Sequence, residues 1–261
     1  MSLKNPTWLY KNLITSQSQL VLSSNNNATM RGRLLDKYTK YRYQSSGATG
    51  STVTIVWTPS ASTSVSRFIL QNTNFADFTI KYNSAASDFS PAIAVTGASG
   101  GDFYFEVVAQ AVTDVTITIT ATSPAAEEKK IGETVITTSL LVASETFSAV
   151  TFTADPYQKL IRLSNGKYQK VVLDTTLQSI SSVFSFVSES QIDSIETMLD
   201  ENDINPIVFI PRPYTHDADN TWDGVGGHFH ISNGRQIRNF TGQYFAAGHD
   251  VQIDLLPAGG A

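Results

Sequence analysis

The stretch "STVTIVWT", residues 51–58, alternates between two kinds of side chain along most of its length. Successive side chains of an extended strand point to opposite faces, so Val53, Ile55 and Trp57 are expected to share one face. The intervening threonines and Val56 would then share the other face. This period of two, carried by β-branched and aromatic residues, predicts a strand with one face buried in a sheet.

The same alternation recurs through the first half of the chain. It is found in "RFILQN" (67–72), "DFTIKYN" (77–83), "DFYFEVVA" (102–109) and "DVTITITAT" (114–122). Turn-forming stretches rich in Ser, Gly and Asn separate these segments. Short strands at this spacing, without a helical period between them, predict a mainly β fold and a β-sandwich of the jelly-roll kind over residues 1–125.

A change of composition marks the expected domain boundary. The stretch "SPAAEEKK" (123–130) is small, polar and charged, and Pro124 disfavours continuation of a strand. Residues 131–261 are therefore predicted to form a second, β-rich α+β domain. Its expected strands include "TVITTSLLV" (134–142), "SSVFSFVS" (181–188) and the proline-bracketed "INPIVFIPRP" (204–213).

One amphipathic helix is predicted near residues 188–202. Ser188 can cap its N-terminus, and an apolar stripe follows at helical spacing, formed by Ile192, Ile195, Met198 and Leu199. An acidic row, comprising Glu189, Asp193, Glu196 and Asp200, lies opposite. That row fits a solvated helix face better than a cation site.

Two Asn-Gly pairs predict hairpins in the second domain. Asn165-Gly166 separates two strand-like segments, and Asn233-Gly234 follows "HFHIS" (228–232). Asn-Gly is favoured in two-residue hairpin turns because both positions tolerate positive φ.

The net charge and the composition of the chain exclude several classes of protein. The chain has 261 residues, a formal net charge of −5 and no cysteine. The negative charge argues against a general nucleic-acid binder, and the missing thiols exclude disulfides and cysteine-ligated metals. No apolar run is long enough for a membrane span, and the first residues lack a signal-peptide core, so neither membrane insertion nor secretion is predicted.

The sequence contains no recognisable catalytic motif and no cofactor-binding fingerprint, so it predicts a protein that is not an enzyme. The candidates for a metal site are His216, His228 and His230. His228 and His230 are two residues apart and would share one face of a strand, which ordinary half-buried alternation also explains. The strand interpretation is preferred, and no metal or cofactor is predicted.

The segment "RGRLLDKYTKYRY" (31–43) is the strongest candidate surface for interaction. Its basic and aromatic residues are Arg31, Arg33, Lys37, Tyr38, Lys40, Tyr41, Arg42 and Tyr43. Such a mixture can belong to a plain surface loop, can grip a sugar or single-stranded nucleic acid, or can form an intersubunit contact. A second candidate is the loop 211–224, with Arg212, Tyr214 and Trp222.

The first half resembles the discoidin, or galactose-binding-like, jelly roll. The resemblance rests on "NLI" (12–14), "LLD" (34–36), "RFILQNTNFADFTIKYN" (67–83) and "KKIGETVIT" (129–137), the last being similar to the family's closing Ile-Gly-Glu turn. Where members of the family often have a tryptophan after Leu-Leu-Asp, this chain has "YTKYRYQSS". The resemblance implies glycan binding by loops at one end, although no ligand-binding residue of the family can be matched.

The second half resembles modules of tailed-phage tail and baseplate proteins. The resemblance rests on "LIRLSNGKYQKVVLD" followed by "VFSFVSESQIDSIETMLDENDINPIVFIPRP". It implies a non-enzymatic structural component of a phage or prophage tail, at the baseplate or tail tip. Its partners would be other tail proteins and copies of itself. The chain would be made in the bacterial cytoplasm and reside in the virion.

Two other functions stay open beside this hypothesis. The first is a glycan-binding module for attachment to the host surface, which can be combined with a structural role. The second is a metal-assisted hydrolase that uses the three histidines named above.

Overall fold

The computed structural model describes the chain in segments. The described residues are 7–24, 28–36, 41–46, 51–83, 87–138, 140–142, 147–155, 158–162, 168–172, 177–187, 189–201, 207–210, 227–231, 239–240 and 249–257. They fall into two compact units, the first built mainly from residues 11–140 and the second from residues 5–10 together with most of the chain after residue 140.

The first unit contains ten strands and two short 3-10 helices among its described residues. In chain order they are η1 (Gln17–Gln19), β2 (Leu20–Leu22), η2 (Ala28–Leu34), β3 (Tyr43–Gln44), β4 (Val53–Trp57), β5 (Thr63–Thr73), β6 (Phe75–Tyr82), β7 (Ser87–Val95), β8 (Gly101–Val112), β9 (Val115–Thr122), β10 (Lys130–Ile131) and β11 (Glu133–Thr137). The strand before them, β1 (Thr7–Leu9), belongs to the second unit.

Two antiparallel sheets form a sandwich. A five-stranded sheet has the order β2-β4-β9-β6-β7, and a three-stranded sheet has the order β11-β5-β8. Phe78 of the first sheet and Phe103 of the second meet edge to face, with ring centroids 4.9 Å apart. Phe68 and Phe89 make a second such contact across the core at 4.9 Å. One apolar core between the two sheets therefore holds the unit together.

The alternation in residues 51–58 is confirmed by this core. Val53, Ile55 and Trp57 are buried, whereas the intervening residues of β4 are partly exposed. The other four predicted strands appear as β5, β6, β8 and β9. The predicted fold class, a mainly β chain with a jelly-roll sandwich and one helix among the described residues, is likewise confirmed.

Strand β7 was not predicted, because its sequence contains Pro91 and begins in a stretch that looks like a turn. A proline lacks the N–H that a central strand needs, but it is tolerated at a sheet edge. The structure places β7 at the edge of the five-stranded sheet, where Pro91 is exposed.

The first unit extends beyond the boundary expected at 123–130. Strand β11 pairs with β5, and β10 pairs with β3, so the chain returns to the sandwich after this stretch. The predicted strand 134–142 accordingly divides in two. Its first part is β11, and its last part is β12 (Leu140–Val142), which joins the sheet of the second unit. Near the start of the chain, residues 7–9 likewise pair in the sheet of the second unit and not in the sandwich.

The second unit is built on an eight-stranded sheet. Its remaining elements are β13 (Phe147–Asp155), β14 (Gln158–Arg162), β15 (Tyr168–Val172), β16 (Leu177–Val187), α1 (Glu189–Glu201), β17 (Ile207–Ile210), β18 (Gly227–Ile231), β19 (Asn239–Phe240) and β20 (His249–Pro257). The strand order is β12-β1-β17-β18-β20-β16-β13, with β19 also paired to β20. Every pairing for which a register is resolved is antiparallel.

The two Asn-Gly hairpins have different outcomes. Strands β14 and β15 pair with Arg162 opposite Tyr168, so the hairpin around Asn165-Gly166 is confirmed, although its turn lies outside the described residues. Residues 232–238, which contain Asn233-Gly234, lie outside the described residues, so the second hairpin stays a prediction.

Helix α1 occupies the predicted stretch, and its apolar stripe is confirmed. Ile192, Ile195 and Met198 are buried, whereas Asp193 and Asp200 are exposed. Among the residues described, no helix is long and apolar enough to cross a membrane.

Glycine substitutions can test the tight turn between β7 and β8. Gly97 and Gly100 both have positive φ, at 68° and 80°. A Cβ on Gly100 would lie 2.7 Å from the Thr73 carbonyl oxygen, whereas a Cβ on Gly97 would have nothing within 4 Å. We expect Gly97→Ala to lower the free energy of unfolding by about 1–2 kcal/mol through its backbone conformation alone. Gly100→Ala should lower the free energy of unfolding by about 1–3 kcal/mol more than Gly97→Ala does, because the backbone of β5 must move.

Urea unfolding of the two variants beside the native chain measures this difference. Equal losses for the two would contradict the close approach of the turn to β5.

Candidate functional site

Four connections of the sandwich meet at one end, which we call the loop end. They are residues 23–52, Asn74, residues 96–100 and residues 123–129. The registers place them together, because Phe75 at the start of β6 pairs with Thr122 at the end of β9, and Thr73 at the end of β5 pairs with Gly101. Loops on a rigid sandwich are the usual place for a binding surface.

Asn74 joins two of these connections. Its side-chain amide donates to the Glu128 carbonyl at 2.8 Å, and its side-chain oxygen accepts from the Lys130 amide at 2.8 Å. Its backbone carbonyl accepts from the Ser123 amide at 2.8 Å. Asn74 is only 6% exposed, so these bonds replace the water that it has lost. Asn74 therefore holds the connection 123–129 near both of its ends.

The long connection 23–52 is held at its base by buried and hydroxyl groups. The Tyr43 hydroxyl donates to the Ser24 carbonyl, and the hydroxyls of Ser24 and Ser46 lie 2.9 Å apart. The Tyr43 ring is fully buried, and burial raises the pKa of Tyr43 to about 12. The two ends of this part of the loop are thus joined to each other.

Helix η2 is tied to the segment that precedes β3. The Arg33 guanidinium donates from Nη1 to the Arg42 carbonyl at 3.1 Å, and Leu34 next to it is buried. Between these anchors, the Tyr41 side chain is 56% exposed. An exposed aromatic ring therefore lies directly before a backbone segment that is anchored at Arg42 and Tyr43.

The β3–β10 pairing places Lys129 and Lys130 beside the 41–46 segment. Gln44 lies opposite Lys130 in the β3–β10 pair. One residue further on, the Ser45 amide donates to the Lys129 carbonyl at 3.0 Å, and the Lys129 amide donates to the Ser45 hydroxyl at 3.0 Å. The pair of lysines, more than eighty residues away in the sequence, thus lies beside the 41–46 segment.

Lys129 is a residue with little exposed surface. Its side chain is 2% exposed, and within the described residues its ammonium makes no ion pair. Desolvation lowers the pKa of Lys129 below its usual 10.5, with no compensating charge among the causes. Arg31 adds a second buried donor, since its Nε makes no hydrogen bond in the described part of the chain.

Five basic residues lie in backbone segments that the β3–β10 pairing and the Arg33–Arg42 bond bring together, and we call this set the basic edge. Its members are Arg31, Arg33, Arg42, Lys129 and Lys130. Lys130 is partly neutralised by Glu127 at 3.0 Å, and that hydrogen bond and charge lower the pKa of Glu127. The other four cations have no ion pair with an acidic side chain among those resolved.

Other candidates from the sequence fall in different places. Tyr43 is buried rather than exposed, so it anchors the loop and its ring is not part of the surface. Strand β18 contains His228 and His230 at alternate positions, opposite Val208 and Leu256 of its two neighbouring strands. Several candidates lie outside the described residues: Lys37, Tyr38, Lys40, Arg212, Tyr214, His216 and Trp222.

Sequence reasoning missed Lys129 and Asn74. "EEKK" is typical of a solvated linker, and nothing local marks Asn74 as a connector. The one signal available was the resemblance of 129–137 to the closing Ile-Gly-Glu turn of a jelly roll, because this stretch begins with Lys129 and Lys130. No group of three or more His, Cys, Asp or Glu residues that could hold a metal ion is found in the described segments.

Comparison with known proteins gives fold likenesses only. No protein-family model matches the chain. No curated protein sequence matches it. Chitosan-binding module 1 of a chitosanase/glucanase from Paenibacillus sp. IK-5 matches with a TM-score of 0.39 at 20% identity, covering 49% of this chain and 98% of the module.

Two further solved structures are similar to the same extent. CBM32 of AlyQ, in complex with 4,5-unsaturated mannuronic acid, has a TM-score of 0.38 at 14% identity and covers 50% of this chain and 98% of its own. CpGH89CBM32-5 from Clostridium perfringens, in complex with GalNAc-β-1,3-galactose, has a TM-score of 0.36 at 9% identity, with coverages of 46% and 96%. What these modules bind is a property of those proteins.

The burial of Lys129 predicts a dependence of stability on pH. Because its pKa is lowered in the folded state, the charged ammonium opposes folding at neutral pH, and this penalty is lost as pH rises through the folded pKa towards 10.5. We expect Lys129→Met, which keeps the length of the side chain, to be more stable than the native chain at about pH 7. The difference should shrink at about pH 10.

Urea unfolding of both proteins at the two pH values makes the comparison. Ionisation of Tyr43 in alkali lowers the free energy of unfolding of both proteins equally, so it cancels from the difference between them. A difference that is constant or grows with pH would contradict a buried ammonium at this position.

Proposed function

We propose that the first unit is a non-catalytic glycan-binding module and that the loop end is its binding surface. The observation that carries the proposal is the exposed Tyr41 ring, which directly precedes Arg42, whose backbone carbonyl accepts from the Arg33 guanidinium. A sugar ring offers an apolar face and a rim of hydroxyls. An aromatic ring covers the apolar face, and fixed N–H donors bind the hydroxyl oxygens.

The rigid anchoring of this surface favours binding. Three sets of contacts hold the backbone that follows Tyr41 before any ligand arrives: the Tyr43 hydroxyl, the Arg33–Arg42 bond and the Ser45–Lys129 bonds. A preformed surface loses less conformational entropy on binding than a mobile loop does. The proposed role needs no bond to be made or broken, in agreement with the sequence, which lacks a catalytic motif.

The test is a glycan array probed with the full chain, followed by titration of the best ligand. We expect Tyr41→Ala to weaken binding about ten-fold, because an aromatic contact of this kind is worth about 1.4 kcal/mol. The control is Val108→Ala, which removes an exposed apolar side chain from β8, away from the loop end.

Two results would end the proposal: absence of binding across a broad array, or equal affinities for the native chain and Tyr41→Ala.

We also propose, as a second candidate, that the chain is a structural component of a phage or prophage tail and resides in the virion. The supporting observation is the order of elements in the second unit: the β14–β15 hairpin, β16, α1 and β17 follow one another as the resemblance requires. The two proposals are compatible, because an attachment module can be part of a tail.

Particle incorporation tests this second proposal. Deleting residues 31–43 would remove the buried Leu34 and Tyr43 and damage folding, so the side chains Arg33, Tyr41 and Arg42 should be replaced instead. We expect a folded triple variant to be incorporated into particles less well than the native chain, as measured by antibody labelling. Incorporation at the native level would exclude these residues as a tail contact.

A further inference from the structure

We infer that the loop end contains a polar subsite for a sugar unit with two adjacent free hydroxyl groups. The carboxylate of Glu127 accepts from one hydroxyl, and the ammonium of Lys130 and the amide of Gln44 bind the other. The inference rests on the proposed function, and it specifies which part of the glycan is recognised and by which residues. Its starting point is the exposed ion pair between Glu127 and Lys130.

The Glu127 carboxylate is held in one position. The Glu127 amide donates to the hydroxyl of Thr122 at 3.2 Å, and Thr122 is buried, so the backbone is anchored to the end of β9. The carboxylate accepts from the Lys130 ammonium at 3.0 Å. The hydrogen bond and charge of Lys130, followed by a hydrogen bond from Asn74, lower the pKa of Glu127, so its carboxylate is ionised at neutral pH.

Both members of this ion pair are accessible from solvent. The Glu127 side chain is 40% exposed, and the Lys130 side chain is 29% exposed. An ammonium has more than one donor and a carboxylate more than one acceptor site, so their mutual contact leaves others for a ligand. An exposed ion pair contributes little to stability, so sharing it with a ligand costs the fold little.

The pairing of β3 with β10 adds Gln44 to the same surface. Gln44 lies directly opposite Lys130 in the register. The residues on either side of each are buried, whereas Gln44 and Lys130 themselves are partly exposed. Their side chains therefore share the outer face of the pair, where directly opposite Cβ atoms are about 5 Å apart. The amide of Gln44 supplies both a donor and an acceptor next to the ammonium.

The polar subsite continues the surface on which Tyr41 is exposed. Gln44 follows Tyr41 by three residues, and such a piece of chain spans at most about 11 Å between Cα atoms. Neighbouring units of one oligosaccharide can cover that distance. Tyr41 would then cover the apolar face of one unit, while the polar subsite binds hydroxyls of its neighbour.

The geometry of the ion pair explains why two adjacent hydroxyls are required. Because the Glu127 oxygen and the Lys130 nitrogen are 3.0 Å apart, the two ligand groups that bind them must also lie close together. Hydroxyls on neighbouring carbons of a sugar ring meet this condition, since one can donate while the other accepts. Each bond is made to a charged group and is therefore stronger than a bond between neutral groups.

The experiment compares simple glycosides with their deoxy analogues. The probes are methyl β-galactopyranoside, methyl β-glucopyranoside and methyl α-mannopyranoside, which differ in the orientation of their hydroxyls. Removal of the C3 hydroxyl breaks every pair of adjacent free hydroxyls in them, whereas removal of the C6 hydroxyl breaks none. In NMR titrations of the full chain, we expect the 3-deoxy analogue of the best probe to bind about ten-fold more weakly and the 6-deoxy analogue to bind equally well.

Matched variants assign the effect to the ion pair. We expect Glu127→Gln to weaken binding of the best probe about ten-fold and to leave binding of its 3-deoxy analogue unchanged, which a general disturbance of the loop end would not do. The control is Asp88→Asn, which removes the acid of another exposed ion pair, with Lys81 at 3.2 Å, near the opposite end of the sandwich. Retention of the thermal transition establishes that the variants are folded. Gln44→Ala tests the other strand in the same way.

The outcomes separate this inference from the proposed function. Equal binding of a glycoside and its 3-deoxy analogue, or unchanged binding by Glu127→Gln, would overturn the polar subsite while leaving a glycan-binding module. Binding of array glycans without binding of any of the three glycosides would overturn it too. Absence of binding to every glycan on the array and to all three glycosides would overturn both. Loss of affinity that requires both Glu127 and the C3 hydroxyl would support both.

Discussion

The pairing of β3 with β10 is the interaction on which the loop end depends. Only two residues of each strand take part, but the bonds between Ser45 and Lys129 extend the pairing by one position. Asn74 then fastens the same strand to the hinge between β5 and β6. This pairing therefore ties the 41–46 segment to the connection 123–129.

Rigidity at this end comes from polar contacts, whereas the centre of the unit is apolar. Between the sheets, aromatic side chains such as Phe78 and Phe103 interlock, and the burial of their surface supplies the main stabilising free energy. At the loop end, backbone groups are satisfied by Asn74, Ser45 and the hydroxyl of Tyr43. Hydrogen bonds fix direction and register more sharply than apolar contacts do, as a binding surface requires.

The unfavourable burial of Lys129 has a physical meaning within this arrangement. Its backbone is bonded to Ser45, but its ammonium has no ion pair among the described residues, so desolvation lowers the pKa of Lys129. The apolar core of the sandwich offsets this cost.

By itself, the sequence determined the strands with regular alternation, the apolar stripe of α1 and the hairpin at Asn165-Gly166, because these follow from local periodicity and turn chemistry. It also marked Arg33, Tyr41 and Arg42 as candidates through their composition. Only the tertiary structure decided that Tyr43 is buried, that Pro91 lies in an edge strand and that Lys129 joins the basic edge. Those results depend on contacts between residues far apart in the chain, and a local pattern contains no information on which distant strands will pair.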